Sequence, residues 1–300
     1  MQQSHRNTSA LVVEGGAMRG IFASGVLDIF HERQYRPFDF CIGVSAGALA
    51  LASWLAGQHF RNYRIITDHS CRPELIQYSR FFRGGHMLDL DWMFDICAKE
   101  IPLDYDALEA QSTDFYVVTT RVEDGQAVYN QASVDRLELL LKASCSVPVA
   151  YRHYPEIDGV PMADGGVGDS IPVIEAYNRG ARDITVILSQ PQGFRKGPPP
   201  SPWLVRKSLP QVPRLVDAVL RRHEQYNRAI DFINNPPDDC RVKVIAPPKG
   251  FRVGRFTQDR NKLHEGYLMG RQAADLVCQD IQPMMPPPDP VSRMHVSHVG

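Results

Sequence analysis

Ser45 is the residue of this sequence best suited to act as a nucleophile. It stands in a G-x-S-x-G pattern, between Gly43 and Gly47, and a serine hydroxyl attacks an ester carbonyl once a base takes its proton. An apolar, strand-like run ends at Gly43, and a helix-favouring run of small residues follows Gly47. This context is typical of a serine exposed on a sharp strand-to-helix turn, in which a Cβ atom at either flank would collide with its surroundings. The pattern alone also fits an ordinary turn with a buried serine, so other residues must decide.

Residues 14–20 form a glycine-rich loop after the first predicted strand. The small residues Gly15, Gly16 and Ala17 expose consecutive backbone N–H groups, which suit a developing oxyanion. A dinucleotide-binding fingerprint would need glycine in place of Ala17, and a P-loop would need lysine in place of Ile21. These residues exclude both nucleotide-binding loops and leave either an oxyanion loop or a plain glycine-rich turn.

Asp164 is an acid on a glycine turn, Asp164-Gly165-Gly166, after another predicted strand. A free aspartate is a weak base with an ordinary pKa of about 3.9, and burial beside Ser45 would raise that pKa. By itself, Asp164 also fits an ordinary hairpin turn. The serine, the loop and the acid come from three separate segments, so their joint presence favours a catalytic site more strongly than any one of them does.

The elements that must position these residues alternate between strands and helices. A strand at 11–13, a helix at 21–31 and a strand ending at Ser45 form a βαβ unit, whose right-handed crossover gives two parallel strands. Their carboxyl ends share one sheet edge, so loop 14–20 and Ser45 become neighbours. Further strands are predicted at 115–120, 127–129, 154–157, 160–162, 184–188 and 242–245. Further helices are predicted from Ser133 to about Lys142, Ser170 to Gly180, Val212 to Phe232 and Leu263 to about Ile281. This alternation predicts an α/β fold with a mainly parallel sheet.

The segments between these elements are less regular. Residues 60–110 are interpreted as an insertion near the sheet edge, and the aromatic and acidic stretch 81–96 as cap packing rather than a mobile lid over the site. Residues 148–150 are interpreted as a plain turn rather than a pocket wall, and 197–202 as a stiff connector rich in proline. One domain is predicted over residues 1–282, followed by a proline-rich, disordered tail at 283–300.

Composition narrows the possible functions. The chain has 300 residues and a formal net charge of −1, which argues against a nucleic-acid or general polyanion binder. Residues 195–228 hold eight basic side chains, interpreted as a solvated face or, alternatively, as a surface for anionic head groups. None of the six cysteines is spaced C-x-x-C, and no histidine pair has zinc-ligand spacing, so no metal site is expected. A signal peptide and a membrane-spanning run are not recognised, which predicts a reducing, cytoplasmic location.

Taken together, the motifs resemble those of the patatin-like phospholipase family, and especially of its compact bacterial members. The matching motifs are Gly15-Gly16-x-x-Arg19-Gly20, Gly43-x-Ser45-x-Gly47 and Asp164-Gly165-Gly166. The resemblance implies a three-layer α/β/α sandwich that hydrolyses acyl esters of phospholipids, lysophospholipids and neutral lipids. It also implies a Ser–Asp dyad without a catalytic histidine or a cofactor.

Carried over to this chain, the resemblance implies Ser45 as nucleophile and Asp164 as base. It implies an oxyanion loop formed by Gly15, Gly16, Ala17, Arg19 and Gly20. Two positions of that loop depart from the family, which usually has aspartate in place of Glu14 and glycine in place of Ala17. Alanine still donates its N–H group, so the oxyanion site is expected to persist if φ at Ala17 is negative.

Two other functions remain open at this point. One is a Ser-His-Asp esterase with His223 or His264 as base, which requires a histidine within hydrogen-bonding reach of Ser45. The other is a non-catalytic module of the same fold that binds a lipid or a partner. For the main hypothesis, the expected partner is a lipid or acyl-ester substrate, with peripheral contact to a membrane.

Overall fold

Two strands that are buried along their whole length, β1 (Ser9–Val13) and β2 (Phe40–Val44), lie at the centre of the sheet. Continuous apolar strands of this kind are typical of parallel sheets that helices cover on both faces. The computed structural model describes residues 7–279 of the chain.

The other strands of the described residues extend this pair into one sheet. They are β3 (Asp114–Arg121), β4 (Ala127–Gln131), β5 (Glu156–Ile157), β6 (Val160–Asp164), β7 (Asp183–Ile187) and β8 (Arg241–Ile245). The sheet order is β5-β6-β3-β2-β1-β7-β8, with β4 also paired to β3. In the part of this order that runs β3-β2-β1-β7-β8, each strand is parallel to its neighbours. β4 and β6 are antiparallel to β3, and β5 is antiparallel to β6. The prediction of an α/β fold with a mainly parallel sheet is confirmed.

The α-helices of the described residues vary from one turn to six turns. They are α1 (Gly20–Glu32), α2 (Ala46–Leu55), α3 (Arg61–Arg64), α4 (Tyr78–Phe82), α5 (Leu90–Glu100), α6 (Tyr105–Ala110), α7 (Leu137–Ser144), α8 (Gly165–Gly168), α9 (Val173–Asn178), α10 (Pro202–Ser208), α11 (Pro213–Asn234) and α12 (Arg260–Gln279). Within residues 7–279, no helix combines the length and the apolar character that spanning a bilayer requires.

Alternate residues of β1 point to opposite faces of the sheet, as the period of a strand requires. Leu11 and Val13 belong to an apolar cluster that includes residues of α1, α2, α7 and α12. Ala10 and Val12 belong to a second cluster, which includes residues of α9 and α11. Helices therefore cover both faces, and the predicted three-layer α/β/α sandwich is confirmed.

Several helix boundaries differ from the predictions. The helix expected to begin at a Ser133 cap begins at Leu137, because residues 134–136 form a turn in which the Arg136 N–H bonds to the Ser133 carbonyl. Pro202, expected in the connector, opens α10 instead. Proline suits the first turn of a helix, where a backbone N–H group would have no partner.

The last helix begins at Arg260, earlier than the predicted Leu263. The Asp259 carboxylate caps it by accepting hydrogen bonds from the N–H groups of Asn261 and Lys262, in the manner of an N-cap aspartate. The tail predicted at 283–300 lies outside the described residues, as does the predicted end of this helix near Ile281.

Candidate active site

One edge of β3 brings Ser45 and Asp164 together. β4 pairs with residues 116–120 of β3, so β2 and β6 share the opposite edge. Along this edge of β3, the last residue of β2, Val44, pairs with Val118. The next residue of β3 pairs with Asp164 of β6. Ser45 directly follows Val44, and it therefore lies beside Asp164.

Ser45 sits on a strained turn between β2 and α2. Its φ of 52° and ψ of −125° belong to a region that costs a non-glycine residue about 1–3 kcal/mol. The Ser45 N–H donates a 2.7 Å hydrogen bond to the Ser144 hydroxyl, which in turn donates a 2.6 Å bond to the Val118 carbonyl. At the helix side, the Ser45 carbonyl accepts a bond from Ala48 at 2.9 Å. These contacts hold the serine in a conformation that the local chain would otherwise avoid.

The two glycines of the G-x-S-x-G pattern allow close backbone approaches. A Cβ atom at Gly43 would lie 2.6 Å from the Cα atom of Ala48. At Gly47 it would lie 2.5 Å from the Val13 carbonyl oxygen. Both distances are shorter than packed carbon atoms tolerate, so side chains at these positions would push α2 away from β1 and β2. This is the steric requirement that the sequence pattern predicts.

The Asp164 carboxylate is 4% exposed and meets Ser45 in this buried space. It accepts a 2.8 Å hydrogen bond from the N–H of Gly166, and Gly165 and Gly166 open the short helix α8. Burial raises the pKa of Asp164, while the positive charge of Arg222 and hydrogen bonds from Ser45 and Gly166 lower it by smaller amounts. The net direction is upward, so Asp164 is a stronger base than a free aspartate.

Cys145 is a second group with nucleophilic character next to Ser45, with which its thiol forms a hydrogen bond. Burial, reinforced by the negative charge of Asp164, raises the pKa of this thiol to about 12. The thiolate is the reactive form of cysteine, and at neutral pH Cys145 remains a thiol.

Gly15, Gly16 and Ala17, each with a backbone N–H group, line the same cavity. Within residues 7–279, none of the three donates a hydrogen bond to another group of the protein. Backbone donors that are fixed and unpaired are suited to binding an oxyanion. The condition placed on Ala17, a negative φ, is not met, because its φ is +50°. This left-handed conformation explains why glycine is usual at the position, because alanine there costs about 1–2 kcal/mol.

Arg19 and Gly20 do not line the cavity. Arg19 is buried, and its Nε atom lacks a hydrogen-bond partner within the described residues. Burial lowers the pKa of Arg19, opposed by the negative charge of Glu14. Gly20 begins α1, where an added Cβ atom would lie 3.1 Å from the Cβ atom of Ala46. Arg19 and Gly20 therefore contribute to the packing of the loop and do not line the cavity.

Glu14, the other departure from the family, fixes the start of the loop. Its buried carboxylate accepts a 2.7 Å hydrogen bond from the Ser189 N–H and a hydrogen bond from the Tyr226 hydroxyl. The Ser189 hydroxyl also donates to the Gly15 carbonyl at 3.4 Å. Glu14 thus ties the loop to the segment after β7 and to α11.

The cavity beside Ser45 has a volume of about 170 Å³ and a mainly apolar wall. Part of this wall comes from the inserted segment, through Leu88, Leu90, Met93 and Phe94. The aromatic and acidic stretch 81–96 therefore contributes apolar packing over the cavity. Other apolar side chains come from α2, from the residues after α3 and from the segment after α7: Leu49, Ile65, Ile66, Leu75, Ile76 and Val147.

The interpretation of residues 148–150 as a plain turn was wrong. Ala150 lines the cavity, and its carbonyl accepts hydrogen bonds from the N–H groups of Met87 and Leu88, both at 2.9 Å. Val149 adopts a φ of 73°, which bends the chain so that Ala150 faces inward. The turn connects the inserted segment to the wall of the site.

Comparisons with known proteins decide the family. A family model described as "Patatin-like phospholipase" matches residues 11–177, which include Ser45, Asp164 and the glycine loop. The chain belongs to the patatin-like phospholipase family. Membership supports a lipid acyl hydrolase function of the phospholipase type, with a lipid substrate. A second family model, a domain of unknown function named DUF6363, matches residues 212–285.

This patatin-like chain also resembles individual proteins. It is 32% identical over 295 residues to the uncharacterized protein YjjU of Escherichia coli K12, across 95% of this chain and 81% of YjjU. Among solved structures it resembles VipD from Legionella pneumophila, with a TM-score of 0.42 and 14% identity over 90% of this chain and 67% of VipD.

The histidines considered as alternative bases lie elsewhere. The Nδ1 atom of His223 is 2.9 Å from the Leu220 carbonyl oxygen, and that of His264 is 3.0 Å from the Tyr63 hydroxyl. Neither lines the patatin-like cavity, nor does any other histidine of residues 7–279. The titratable group beside Ser45 in this cavity is Asp164.

His86, Asp91 and His153 form a group that the sequence spacing did not reveal. One potential ligand atom of each lies within 4.8 Å of the others. Asp91, however, already pairs with Lys142 and accepts a 2.9 Å hydrogen bond from the Tyr151 hydroxyl. The carboxylate thus has protein partners, and the group explains how the inserted segment is joined to α7 and to the segment that follows it.

Sequence reasoning missed four residues around Ser45: Ser144, Cys145, Arg222 and Arg255. Arg222 and Arg255 line the cavity from beyond residue 190, where the motifs of the family had ended. The only available signal was the run of basic residues at 195–228, interpreted as a solvated face. Ser144 carried no signal, because a serine at the end of a helix is common.

Proposed function

We propose that this protein is a carboxylic ester hydrolase that cleaves acyl esters of lipids with Ser45 as nucleophile and Asp164 as general base. One observation carries the proposal: the Ser45 hydroxyl and the buried Asp164 carboxylate line one cavity and interact there, next to unpaired backbone donors of the loop 15–17. The apolar wall of the cavity suits an acyl chain. Family membership supports the same reaction class.

The reaction proceeds in two steps. In the first, Asp164 takes the proton of Ser45 while its Oγ atom attacks the ester carbonyl, and the resulting oxyanion binds to the N–H groups of Gly15, Gly16 and Ala17. Each such donor contributes roughly 3–4 kcal/mol to transition-state stabilisation. Asp164 then gives the proton to the leaving alcohol, and an acyl-Ser45 ester remains.

In the second step, Asp164 takes a proton from water, whose oxygen attacks the acyl-Ser45 carbonyl. Collapse of this intermediate releases the carboxylic acid, and Asp164 returns the proton to Ser45. Burial helps both steps because it raises the pKa of Asp164 and with it the driving force for proton transfer. The unpaired loop donors require no rearrangement when negative charge develops.

Replacement of the dyad tests the proposal. Ser45→Ala and Asp164→Asn are expected to abolish hydrolysis of p-nitrophenyl esters and of a lipid panel whose products are identified by mass spectrometry. A fluorophosphonate probe is expected to label the wild-type protein and not Ser45→Ala. Normal turnover by either folded variant would refute the dyad. Failure of the folded wild type to react with the probe would favour a non-catalytic binding module.

We also propose that the protein contacts membranes peripherally through α10. Trp203 and Leu204 on this helix are 66% and 50% exposed, and Lys207 follows them. An exposed aromatic and aliphatic pair beside basic side chains is typical of an interfacial contact with anionic lipid. The substrate of a lipid acyl hydrolase is found at such a surface.

A further inference from the structure

One wall of the cavity comes from the C-terminal segment rather than from the patatin-like part of the chain. Arg222 of α11 and Arg255 of the loop before α12 both line the cavity with Ser45 and Asp164. Both arginines lie within residues 212–285, the segment matched by the family model of unknown function. The reaction proposed above uses neither of them as an acid, a base or an oxyanion donor.

Arg255 combines a fixed backbone with a free side chain. Its carbonyl accepts a 3.3 Å hydrogen bond from the N–H of Met18 in the glycine loop, and the buried side chain of Val253 anchors the same turn in an apolar cluster. The Arg255 side chain is exposed. Within residues 7–279 it has neither an ion pair nor a side-chain hydrogen bond. Its guanidinium group is thus available to a ligand at the mouth of the cavity.

Arg222 lies deeper, where its side chain extends from α11 to Gly166 of the acid turn. Its Nε atom donates a 3.2 Å hydrogen bond to the Ser170 hydroxyl. A terminal nitrogen approaches the turn so closely that a Cβ atom at Gly166 would lie 2.7 Å from it. Arg222 attracts the Asp164 carboxylate electrostatically, and it lines the cavity.

The charges around this part of the cavity are mostly positive. Lys196 lies nearby, with its Nζ atom 4.1 Å from the centre of the Tyr226 ring. Burial, together with the positive charges of Arg222 and Arg255, lowers the pKa of Lys196 to about 6, and the negative charge of Glu14 opposes this shift.

We propose that Arg255 and Arg222 form a binding subsite for the phosphate group of the acyl-ester substrate, next to the ester that Ser45 attacks. The inference rests on the proposed function, and it identifies the preferred substrate class as acyl esters that carry phosphate close to the scissile bond. A guanidinium group can donate two parallel hydrogen bonds to two oxygens of a phosphate group. The C-terminal segment would then select the head group, and the patatin-like part would cleave the ester.

Binding to the Ser45→Ala protein tests the subsite without turnover. Calorimetric titration compares 1-oleoylglycerol 3-phosphate with 1-oleoylglycerol, which lacks the phosphate, both below their aggregation concentrations. The phosphate-bearing lipid is expected to bind about 10–100-fold more tightly, as charged hydrogen bonds of this kind imply. Adding Arg255→Gln should reduce the preference about tenfold or more. Adding Arg252→Gln should leave it unchanged, because Arg252 lies in the same loop but pairs with Glu265 at 3.2 Å.

Equal binding of the two lipids, or a preference that survives Arg255→Gln, would overturn the subsite. A third titration uses inorganic phosphate, which is expected to bind at least tenfold more weakly than the phosphate-bearing lipid. Equally tight binding of inorganic phosphate would assign the site to the free ion and also overturn the proposal. Wild-type protein that binds the lipid selectively yet never cleaves it would contradict the proposed function and leave the subsite supported.

Discussion

Ser45 holds a left-handed φ of 52°, and this conformation should be measurable as stored strain. Ser45→Gly is expected to be more stable than Ser45→Ala by about 1 kcal/mol, because glycine adopts positive φ at little cost. Denaturant unfolding of the two variants measures the difference. The order should reverse at Ser53 in α2, where glycine is about 0.5–1 kcal/mol worse than alanine. Equal stability of the Ser45 variants would mean that the turn stores no strain.

Arg222 should set the pH at which Asp164 becomes active. Burial raises the pKa of Asp164 and Arg222 lowers it, so activity requires the ionised acid and falls as the pH drops through this raised pKa. Arg222→Gln removes the positive charge and is expected to move the acidic limb of kcat/KM to higher pH. The profile is measured with a neutral p-nitrophenyl ester, to which the phosphate subsite does not apply. Arg221→Gln on the exposed side of α11 is the control, and an unmoved limb in Arg222→Gln would refute this role.

The sequence identified residue types well and backbone conformations poorly. Ser45, Asp164 and the loop 15–17 lie around one cavity, as their motifs predict. The oxyanion site was expected to persist on the condition that φ at Ala17 is negative, and that φ is +50°; a motif comparison gives the identity of a residue and not its dihedral angle. The glycine usual at that position was the available signal.

At the scale of elements, α7 fixes the nucleophile turn through one side chain. Ser144→Ala removes the hydroxyl that bridges the Ser45 N–H and the Val118 carbonyl, and leaving such buried groups unpaired costs about 1–3 kcal/mol. The variant is expected to unfold at lower denaturant and to lose kcat by about 10–100-fold, because a small displacement of a nucleophile is costly. KM should change little, since Ser144 is not part of the cavity wall.

Ser146→Ala is the matched control for this prediction. Its hydroxyl donates to the Lys142 carbonyl of the same helix at 2.8 Å, so its loss should change kcat by less than about threefold, within the range of a helix-internal bond. Equal losses in the two variants would indicate a general weakening of α7. Normal kcat in Ser144→Ala would show that the turn holds its shape without this bridge.

Elements with strong periodic patterns were predicted from the sequence, and connecting segments were not. The βαβ unit, the two hairpins, β7, β8 and α11 follow from apolar runs and turn residues. The inward turn at Ala150 and the helix at Pro202 did not, because tertiary contacts decide them: Ala150 binds Met87 and Leu88, which are far from it in sequence. For the same reason, the sequence did not indicate that Arg222 and Arg255 line the cavity. Their positions depend on how α11 and the last loop pack against the sheet.

At the scale of the whole molecule, the proposed membrane contact assigns a role to α10, on which Trp203 and Leu204 are exposed. Trp203→Ser with Leu204→Ser is expected to lower binding to anionic vesicles about tenfold or more, given roughly 1.5–3 kcal/mol for burying a large apolar side chain. Co-sedimentation with phosphatidylserine-containing vesicles measures the effect. Wild-type binding should weaken with added salt, because Lys207 and Arg214 contribute about 1 kcal/mol each near an anionic surface.

Leu268→Ser with Leu276→Ser is the control, because these leucines of α12 are also exposed, at 48% and 61%, but lie on another helix. Vesicle binding should persist in this variant, and hydrolysis of a water-soluble ester should persist in both. Equal loss of binding in the two variants would mean that any exposed apolar pair contributes and that α10 has no special role. If the α10 variant alone no longer hydrolyses lipid in vesicles but still cleaves the soluble ester, α10 is needed for binding to the membrane and not for the proposed chemistry at Ser45.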